Sequence, residues 1–410
     1  MRVALVHSYH HSDVPSGENV VVDAQVDALA AAGHEAIVVA QDNDTRSRRR
    51  TYPLEAAATV VTGLGPDPSE MLRRLAPDVV HVHNLFPNFG TRWLARWQGP
   101  LVATLHNFRP ICPAGTLLRD GHHCTDCVTT PMAAVRHRCF QHSRVASLPL
   151  ALATRGGATR HPVVARADRL IAISDRAAAE YRAVGVEPRR LVVVPNAVPD
   201  EGGAGDGAQR SSTRWGSEVR STVEHEVAPR WLFVGRLSAE KGARELLERW
   251  PAGLPIDLVG AGEIGAELAA AFAHRPEVRF LGAMPNAQVR ALVGRYTGLV
   301  VPSLWAEAGP PLTYVEALAS GVPVVAVAGN GAADDVAARG TGLVVGKDGW
   351  GERSDGGFGT DSAELAVALK DVQRDRARLS PHCRAVYEAH YSTGAWVQAL
   401  LDVYREATHG

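Results

Sequence analysis

Arg236 and Lys241 flank one junction in the stretch FVGRLSAEKGARELLERW, residues 233–250. Phe233 and Val234 read as the end of a buried strand, and Gly235 as a turn without a side chain. Ser238 reads as the N-cap of a helix carrying Leu246 and Leu247. Lys241 then falls in the first turn, where the helix dipole already presents partial positive charge. Two cations gathered there are either solvated and mutually repelling, or they await an anion. Gly235 lets such a ligand come close to the backbone.

A second stretch, PSLWAEAGPPLTYVEALASGVPVV (302–325), has the matching chemistry. A strand ends at Ser303, a loop carries Glu307, and Pro310-Pro311 opens a helix, where a missing N–H costs nothing. The N–H groups of Leu312 and Thr313 then face outward as anion donors. Glu316 follows about one turn on and suits a diol such as a ribose. Phosphate charge met at two helix starts, with carboxylates at hand, describes a nucleoside diphosphate. No Asp-x-Asp cluster marks a divalent-metal site, and Asp334 and Asp335 point different ways on a helix. No cofactor is therefore expected for catalysis.

A competing signal lies in PIDLVGAGEIGAELAAAF, where Gly260, Gly262 and Gly265 spell a dinucleotide fingerprint between a strand and a helix. That fingerprint wants an acid at the end of the next strand. The next strand, VRFLG, ends at Leu281-Gly282-Ala283 without one. A tight strand-to-helix turn beside the ligand is the better account of these glycines.

The elements that must hold these groups alternate along the chain. RVALVH, EAIVVA, DVVHVH, PLVATLH and RLIAIS are separated by alanine-rich helical runs. After residue 230 the pattern resumes with WLFVG, PIDLVG, VRFLG, GLVVPS and PVVAVAG. Near-continuous apolar strands between helices indicate parallel sheets covered on both faces. The fold class expected is α/β, with two Rossmann-like, doubly wound domains facing a cleft. A length of 410 residues suits two domains of roughly 200 residues each. The divisions are an acceptor-binding domain over 1–198, a linker or insertion over 199–229, a donor-binding domain over 230–390, and a C-terminal helix over 391–410. A Gly-rich loop is expected at 346–359.

A net charge of −1 gives no basic field for nucleic acid, and no nucleic-acid partner is expected. The opening MRVALVHSYHHSD reads as a first strand instead of a signal peptide, and no apolar run nears the roughly 18 residues of a membrane span. A cytoplasmic protein is expected, with peripheral membrane contact left open.

Three strands of the first domain end in histidine: His7, His83 and His106. If those strands are neighbours, the imidazoles share one sheet edge, either as hydrogen-bonded structural residues or as a three-His metal site. VHNLFPNFG (82–90) would line an acceptor pocket with Asn84 and Phe86. In the loop 110–142, Cys124 and Cys127 form a C-x2-C knuckle with Cys112 and Cys139 placed symmetrically outside it. In a chain expected to meet a reducing compartment, that pattern makes the four thiols a candidate structural zinc clip, ordinary thiols being the alternative.

Taken together, PSGEN, VVVPNAV, FVGRLSAEKG, LVGAGE, VRFLGAMP and the Glu-rich helix start resemble the GT-B glycosyltransferases of family 4 over nearly the whole chain. The resemblance implies a retaining transfer of sugar from a UDP-, GDP- or similar sugar nucleotide to an acceptor hydroxyl of a glycan, lipid-linked or small-molecule acceptor. It gives Arg236 and Lys241 to the diphosphate and Glu316 to the ribose. The loop from Leu281 to Met284 goes to the base, and Gly17 to the phosphates from the first domain. It gives His106, in TLHN, to the reacting sugar and acceptor. The family sets its two glutamates one residue closer together, which puts Ala308 where the first belongs; Glu307 reaches the donor sugar if the loop bulges by one residue. A sugar-nucleotide epimerase or phosphorylase, an NAD-dependent oxidoreductase and a non-catalytic nucleotide-sugar-binding protein are the alternative readings.

Overall fold

The computed structural model describes residues 1–11, 16–120, 122–200, 229–305, 307–346 and 361–409. Almost all of the linker expected at 199–229, and nearly all of the loop expected at 346–359, lie outside the described residues.

The first sheet is built from β1 (Arg2–Tyr9), β2 (Glu35–Asp42), β3 (Val79–Asn84), β4 (Leu101–Leu105), β5 (Arg169–Ala172) and β6 (Leu191–Val193). Its spatial order is β2-β1-β3-β4-β5-β6, with every pair parallel. The second sheet uses β7 (Trp231–Val234), β8 (Ile256–Val259), β9 (Val278–Gly282), β10 (Gly298–Val301), β11 (Val324–Val327) and β12 (Gly342–Val345). Its order is β9-β8-β7-β10-β11-β12, again all parallel. This is the doubly wound α/β architecture that the alternating pattern predicts. Side chains of Val3 to Val6, Val79, Val80 and Leu101 to Ala103 are buried, as strands covered on both faces require.

Chain order reverses between β1 and β3 in the first sheet and between β7 and β10 in the second. Ligands of open α/β sheets bind outside the carboxyl ends of the strands at such reversals. His7 and His83 occupy one of these points. Gly235 and Ser303 occupy the other.

Helix α1 (Gly17–Ala31) starts at Ser16, whose hydroxyl accepts from the Asn19 N–H at 3.4 Å. In the second domain, α2 (Ala243–Arg249) follows β7, α3 (Leu312–Ala319) follows β10, and α4 (Gly331–Arg339) follows β11. At the end of the chain, α5 (Arg376–His390) packs on α3, and α6 (Thr393–His409) returns to the first domain. Trp396, Leu400 and Tyr404 of α6 are buried against Val3, Leu5, Val79 and Val102. The last helix of the chain therefore completes the core of the first sheet.

Candidate functional site

The second domain contributes a cleft of about 570 Å3 between the ends of β7 and β10. Its wall includes Gly17, Gly235, Arg236, Met284 and Thr313, with Ser303 just past the end of β10 and Lys241 in the turn after β7. Leu312, next to Thr313, and the buried Glu307 and Glu316 are not among the residues that line it. Gly17 reaches the cleft from the first domain, and a β-carbon there would lie 3.9 Å from the Leu312 Cδ1.

Ser238 does not cap the continuous helix expected from the sequence. It heads a single 3-10 turn, Ala239–Lys241, and its hydroxyl donates to Glu240 at 2.7 Å. Gly242 then adopts φ +69, and α2 begins after it. The break has a steric cause. A β-carbon at 242 would sit 2.1 Å from the Pro302 carbonyl oxygen, so the turn is pressed against the end of β10 and glycine alone fits. Lys241 thus ends a turn beside the cleft instead of opening a long helix.

Arg236 is exposed and, among the described residues, its guanidinium has no ion-pair partner. Lys241 Nζ pairs with Glu307 Oε1 and lies 5.5 Å from the centre of the Trp305 ring. Glu307 is buried, and its Oε2 is closed off from solvent without a partner among the described residues. Pro311 takes the cap position of α3, and its carbonyl accepts from the Tyr314 N–H at 2.9 Å. The N–H groups of Leu312 and Thr313 are left outside the helix ladder, as expected. Glu316 is buried one turn on, 3.8 Å from the Arg290 guanidinium.

The one-residue shift of the first glutamate has a structural basis. Ala308 is 7% exposed and packs into the core of the first domain, and its carbonyl accepts from the Ser174 hydroxyl. A β-carbon at Gly309 would lie 2.9 Å from the Ile173 side chain. The loop after β10 is therefore clamped to the loop after β5, and the carboxylate turned toward Lys241 is that of residue 307.

The fingerprint glycines have a packing role. A β-carbon on Gly260 would meet the Gly235 carbonyl oxygen at 1.9 Å, and one on Gly262 would meet that of Leu237 at 2.2 Å. They allow two strand-end loops to touch and form the cleft floor.

The first domain has a second cavity, about 110 Å3, at the ends of β3 and β4. His83, Asn84, Phe86, His106, Asn107, Arg109 and His161 line it. Adjacency of β1, β3 and β4 brings the strand-end histidines together. His83 Nδ1 and His106 Nε2 share a hydrogen bond of 2.8 Å, and the His7 and His83 ring centres are 6.3 Å apart. His7 Nε2 is held by Asn19 at 3.1 Å. Burial pushes the His106 imidazole down to about 4, opposed by the charge of Glu18 and reinforced by His7. His83 lies well below the ordinary imidazole range, by burial and then by its histidine neighbours.

Glu18, in the first turn of α1, was missed as a site residue although it stands inside PSGEN. Its carboxylate accepts from Asn107 at 2.8 Å and from Asn84 at 3.1 Å, and it meets His10 Nε2 at 3.4 Å. Burial pushes this carboxyl up, but the His10 hydrogen bond and the field of His106 outweigh it and bring it down to about 2. Its position beside Gly17, at a helix N-terminus, was the available signal.

Among the described residues, no group of three or more His, Cys, Asp or Glu side chains is placed to hold a metal ion. The three-His reading fails because the imidazoles bond to one another and to Asn19. The four cysteines expected as a clip form no disulfide, Cys112 being buried and Cys124, Cys127 and Cys139 half-buried, and Cys112, Cys139 and Cys124 lie near enough to act on the Cys127 thiol. Cys127 sits in a helical turn, Asp126–Thr129, while the Cys124 N–H is tied to the Leu117 carbonyl.

Two family models match the chain: Glycosyltransferase Family 4 over residues 15–201 and Glycosyl transferases group 1 over residues 228–370. Together they span most of its length. A D-inositol 3-phosphate glycosyltransferase of Nocardia farcinica is 27% identical over 84% of this chain and 71% of its own. One named D-inositol 3-phosphate glycosyltransferase 1, of Catenulispora acidiphila, is 29% identical over 85% and 77%. Among solved structures, a sucrose-phosphate synthase of Thermosynechococcus elongatus superposes with a TM-score of 0.63 at 17% identity, covering 99% of this chain and 98% of that one. HepE of Anabaena, solved in complex with UDP-glucose, gives 0.58 at 16% identity, covering 99% of each. The chain belongs to the family 4 type of GT-B glycosyltransferases, and it is a transferase enzyme.

Proposed function

We propose that the protein transfers a sugar from a nucleoside-diphosphate sugar to an acceptor hydroxyl, with retention of anomeric configuration. One observation carries this reading. At the chain reversal of the second sheet, the unpaired Arg236, Lys241 and Thr313 line one cleft, and the N–H groups of Leu312 and Thr313 stand outside the ladder at the helix start beside it. Such a set suits a diphosphate leaving group, whose charge grows in the transition state and is met by groups already in place. In this proposal the side chains and backbone carry that charge, and no cofactor is assigned a part. Glu316 would hold the ribose diol, Met284 would lie beside the base, and Glu307 would receive hydroxyls of the donor sugar. The UDP and UDP-glucose complexes of HepE support a nucleotide-sugar donor.

The acceptor would enter from the first domain, where the second cavity opens beside His106. The reacting hydroxyl lies on the same face as the leaving phosphate in a retaining transfer, so the diphosphate itself would help take its proton. His106, neutral by burial, orients the acceptor and sugar hydroxyls through hydrogen bonds. The relatives named for D-inositol 3-phosphate support a polyol-type acceptor.

The test is a thermal-shift screen of nucleotide sugars on the full chain, followed by product analysis with candidate hydroxyl acceptors. Stabilisation by one nucleotide sugar and formation of a glycoside with the donor's anomeric configuration is the expected result. Binding without turnover would instead support a non-catalytic binding protein, and an inverted product would remove the retaining mechanism.

A further inference from the structure

Arg109 and His161 carry no part of the reading above, yet both line the second cavity beside His106. They come from distant elements. Arg109 follows β4 in the loop that closes the cavity, and His161 stands at the start of the short helix Pro162–Arg166. The Arg109 guanidinium rests on Phe86, 4.0 Å from the ring centre, with Phe140 at 5.9 Å. That stacking fixes its plane and leaves its edges for ligands.

Its donors are underused. Arginine offers five N–H groups. Nη1 donates to the Pro113 carbonyl at 3.1 Å, while Nε is sealed from solvent with no partner among the described residues. Among the described residues no carboxylate lies within ion-pair distance of it: Glu18 acts on Arg109 through its charge, but its oxygens are taken by Asn84, Asn107 and His10. His161 repeats the pattern, with Nδ1 closed off and unpartnered. Burial, and then the nearby guanidinium, bring this imidazole down to about 4, so at neutral pH it is an uncharged group with one N–H to give. A cation and a neutral donor, both short of acceptors, face one small cavity next to the residue that would touch the acceptor. Buried polar groups left unpaired in the free protein usually mark a site for a ligand or an ordered water.

We infer that Arg109 and His161 form an anion subsite for the acceptor, so that the preferred acceptor carries a phosphate or a carboxylate close to its reacting hydroxyl. This rests on the sugar-transfer reading, and it adds the substrate class. Phe86 stacks on the guanidinium, and the forked N–H donors of Arg109 hold the anion while His161 bonds to a further oxygen. The neutral side of the acceptor is then turned toward His106 and the donor.

The test separates the two readings. A background carrying Arg236→Ala and Lys241→Ala removes the diphosphate cations, and its thermal unfolding is followed with inorganic phosphate, acetate or chloride at matched ionic strength. A stabilisation by phosphate or by acetate beyond chloride is expected, and the two anions distinguish the oxyacid. Arg109→Gln should abolish it, and Arg109→Lys should keep part of it. In transfer assays with the wild-type chain, glucose 6-phosphate, glucuronate and glucose serve as matched acceptors. The anionic member should be preferred by about 10-fold or more, as loss of a charged hydrogen bond implies, and Arg109→Gln should erase the preference through KM. Should Arg109→Gln not fold, Arg109→Lys and His161→Gln decide by the same shift. An anion effect unaltered by these substitutions, no anion effect beyond chloride, or equal use of glucose overturns the subsite. If no nucleotide sugar stabilises the wild-type chain, the transferase reading fails first, and that result is scored apart from the anion arm.

Discussion

Lys241 and Glu307 close on each other across the donor cleft, linking the turn after β7 to the loop after β10. Each supplies what the other would otherwise lack. The lysine keeps a counter-charge while the diphosphate is absent, and the carboxylate avoids isolation in a buried place. Glu307 Oε2 is closed off from solvent and has no partner among the described residues. A donor bringing a diphosphate and sugar hydroxyls could engage both members of the pair, so the contact reads as a site held ready.

Arg236→Ala and Lys241→Ala are expected to keep the fold, because Arg236 is exposed and Lys241 lies at the end of a turn, with Lys241→Ala the less stable because buried Glu307 loses its counter-charge. Turnover should fall by about 100-fold or more in each, the scale of losing a charge contact made in the transition state. Circular dichroism checks the fold and initial rates decide. Rates within a few-fold of wild type in both variants would falsify the diphosphate assignment.

The two buried glutamates should divide their work. Glu307→Gln removes the charge facing Lys241 and should impair transfer, while affinity for the free nucleoside diphosphate stays nearly unchanged. Glu316→Ala removes the carboxylate proposed to hold the ribose diol and should weaken the nucleotide itself. Calorimetric titration of the free nucleotide reads both, and parallel losses would show that this division is mistaken.

Much of this was legible because it is local. The strand runs, the proline-opened helix at Leu312 and the glycine-lined floor follow from residues close in sequence. What the sequence hid depends on contacts between distant segments. Gly242 breaks the helix after Lys241 because the Pro302 carbonyl presses on it, and nothing within 233–250 reports that neighbour. The bulge that would bring Glu307 into register could be named from spacing, but its cause, Ala308 clamped at Ser174, lies in another domain. Arg109 and His161 come together only when α/β order is fixed. Glu18 was readable in principle, since an acid in the first turn after a glycine loop is a local signal.

Acid should destabilise the protein before its carboxylates titrate. Burial brings His81 down to about 3, helped by the charge of His106, and His106 itself to about 4. Both are neutral in the folded chain, whereas the unfolded chain binds their protons near the ordinary value of 6.5. Below that value the unfolded state holds more protons, so stability falls as pH drops from about 6.5 toward 4. Each such histidine contributes a slope of about 1.4 kcal/mol per pH unit. Glu18, brought down to about 2, works lower still and does not explain this window. Denaturant unfolding across the range measures the slope. His81→Gln should flatten it by about one proton's worth, although it also loses the contacts to Gln25, Tyr404 and Thr104. A slope that survives the substitution assigns the acid sensitivity elsewhere.

The cysteine-rich loop permits a direct choice between thiols and a metal clip. Cys127 is half-buried, and burial, followed by the nearby Cys112, pushes its thiol up to about 11. A thiol of that kind is protonated at neutral pH and slow to react, because the thiolate is the nucleophile. A bound zinc ion would hold it instead as the thiolate that metal binding needs. As the side chains are placed, elemental analysis of protein purified without added metal is expected to give well under one zinc per chain. Cys127 should alkylate slowly at pH 7 and faster as the pH approaches 11. Unfolding should also be unchanged by a strong chelator, because the loop is tied by the Cys124 N–H to Leu117 and by the Cys139 N–H to Ala134. One full equivalent of zinc, lost together with stability in a Cys124→Ser/Cys127→Ser variant, would establish the clip and require the four sulfurs to close around the ion.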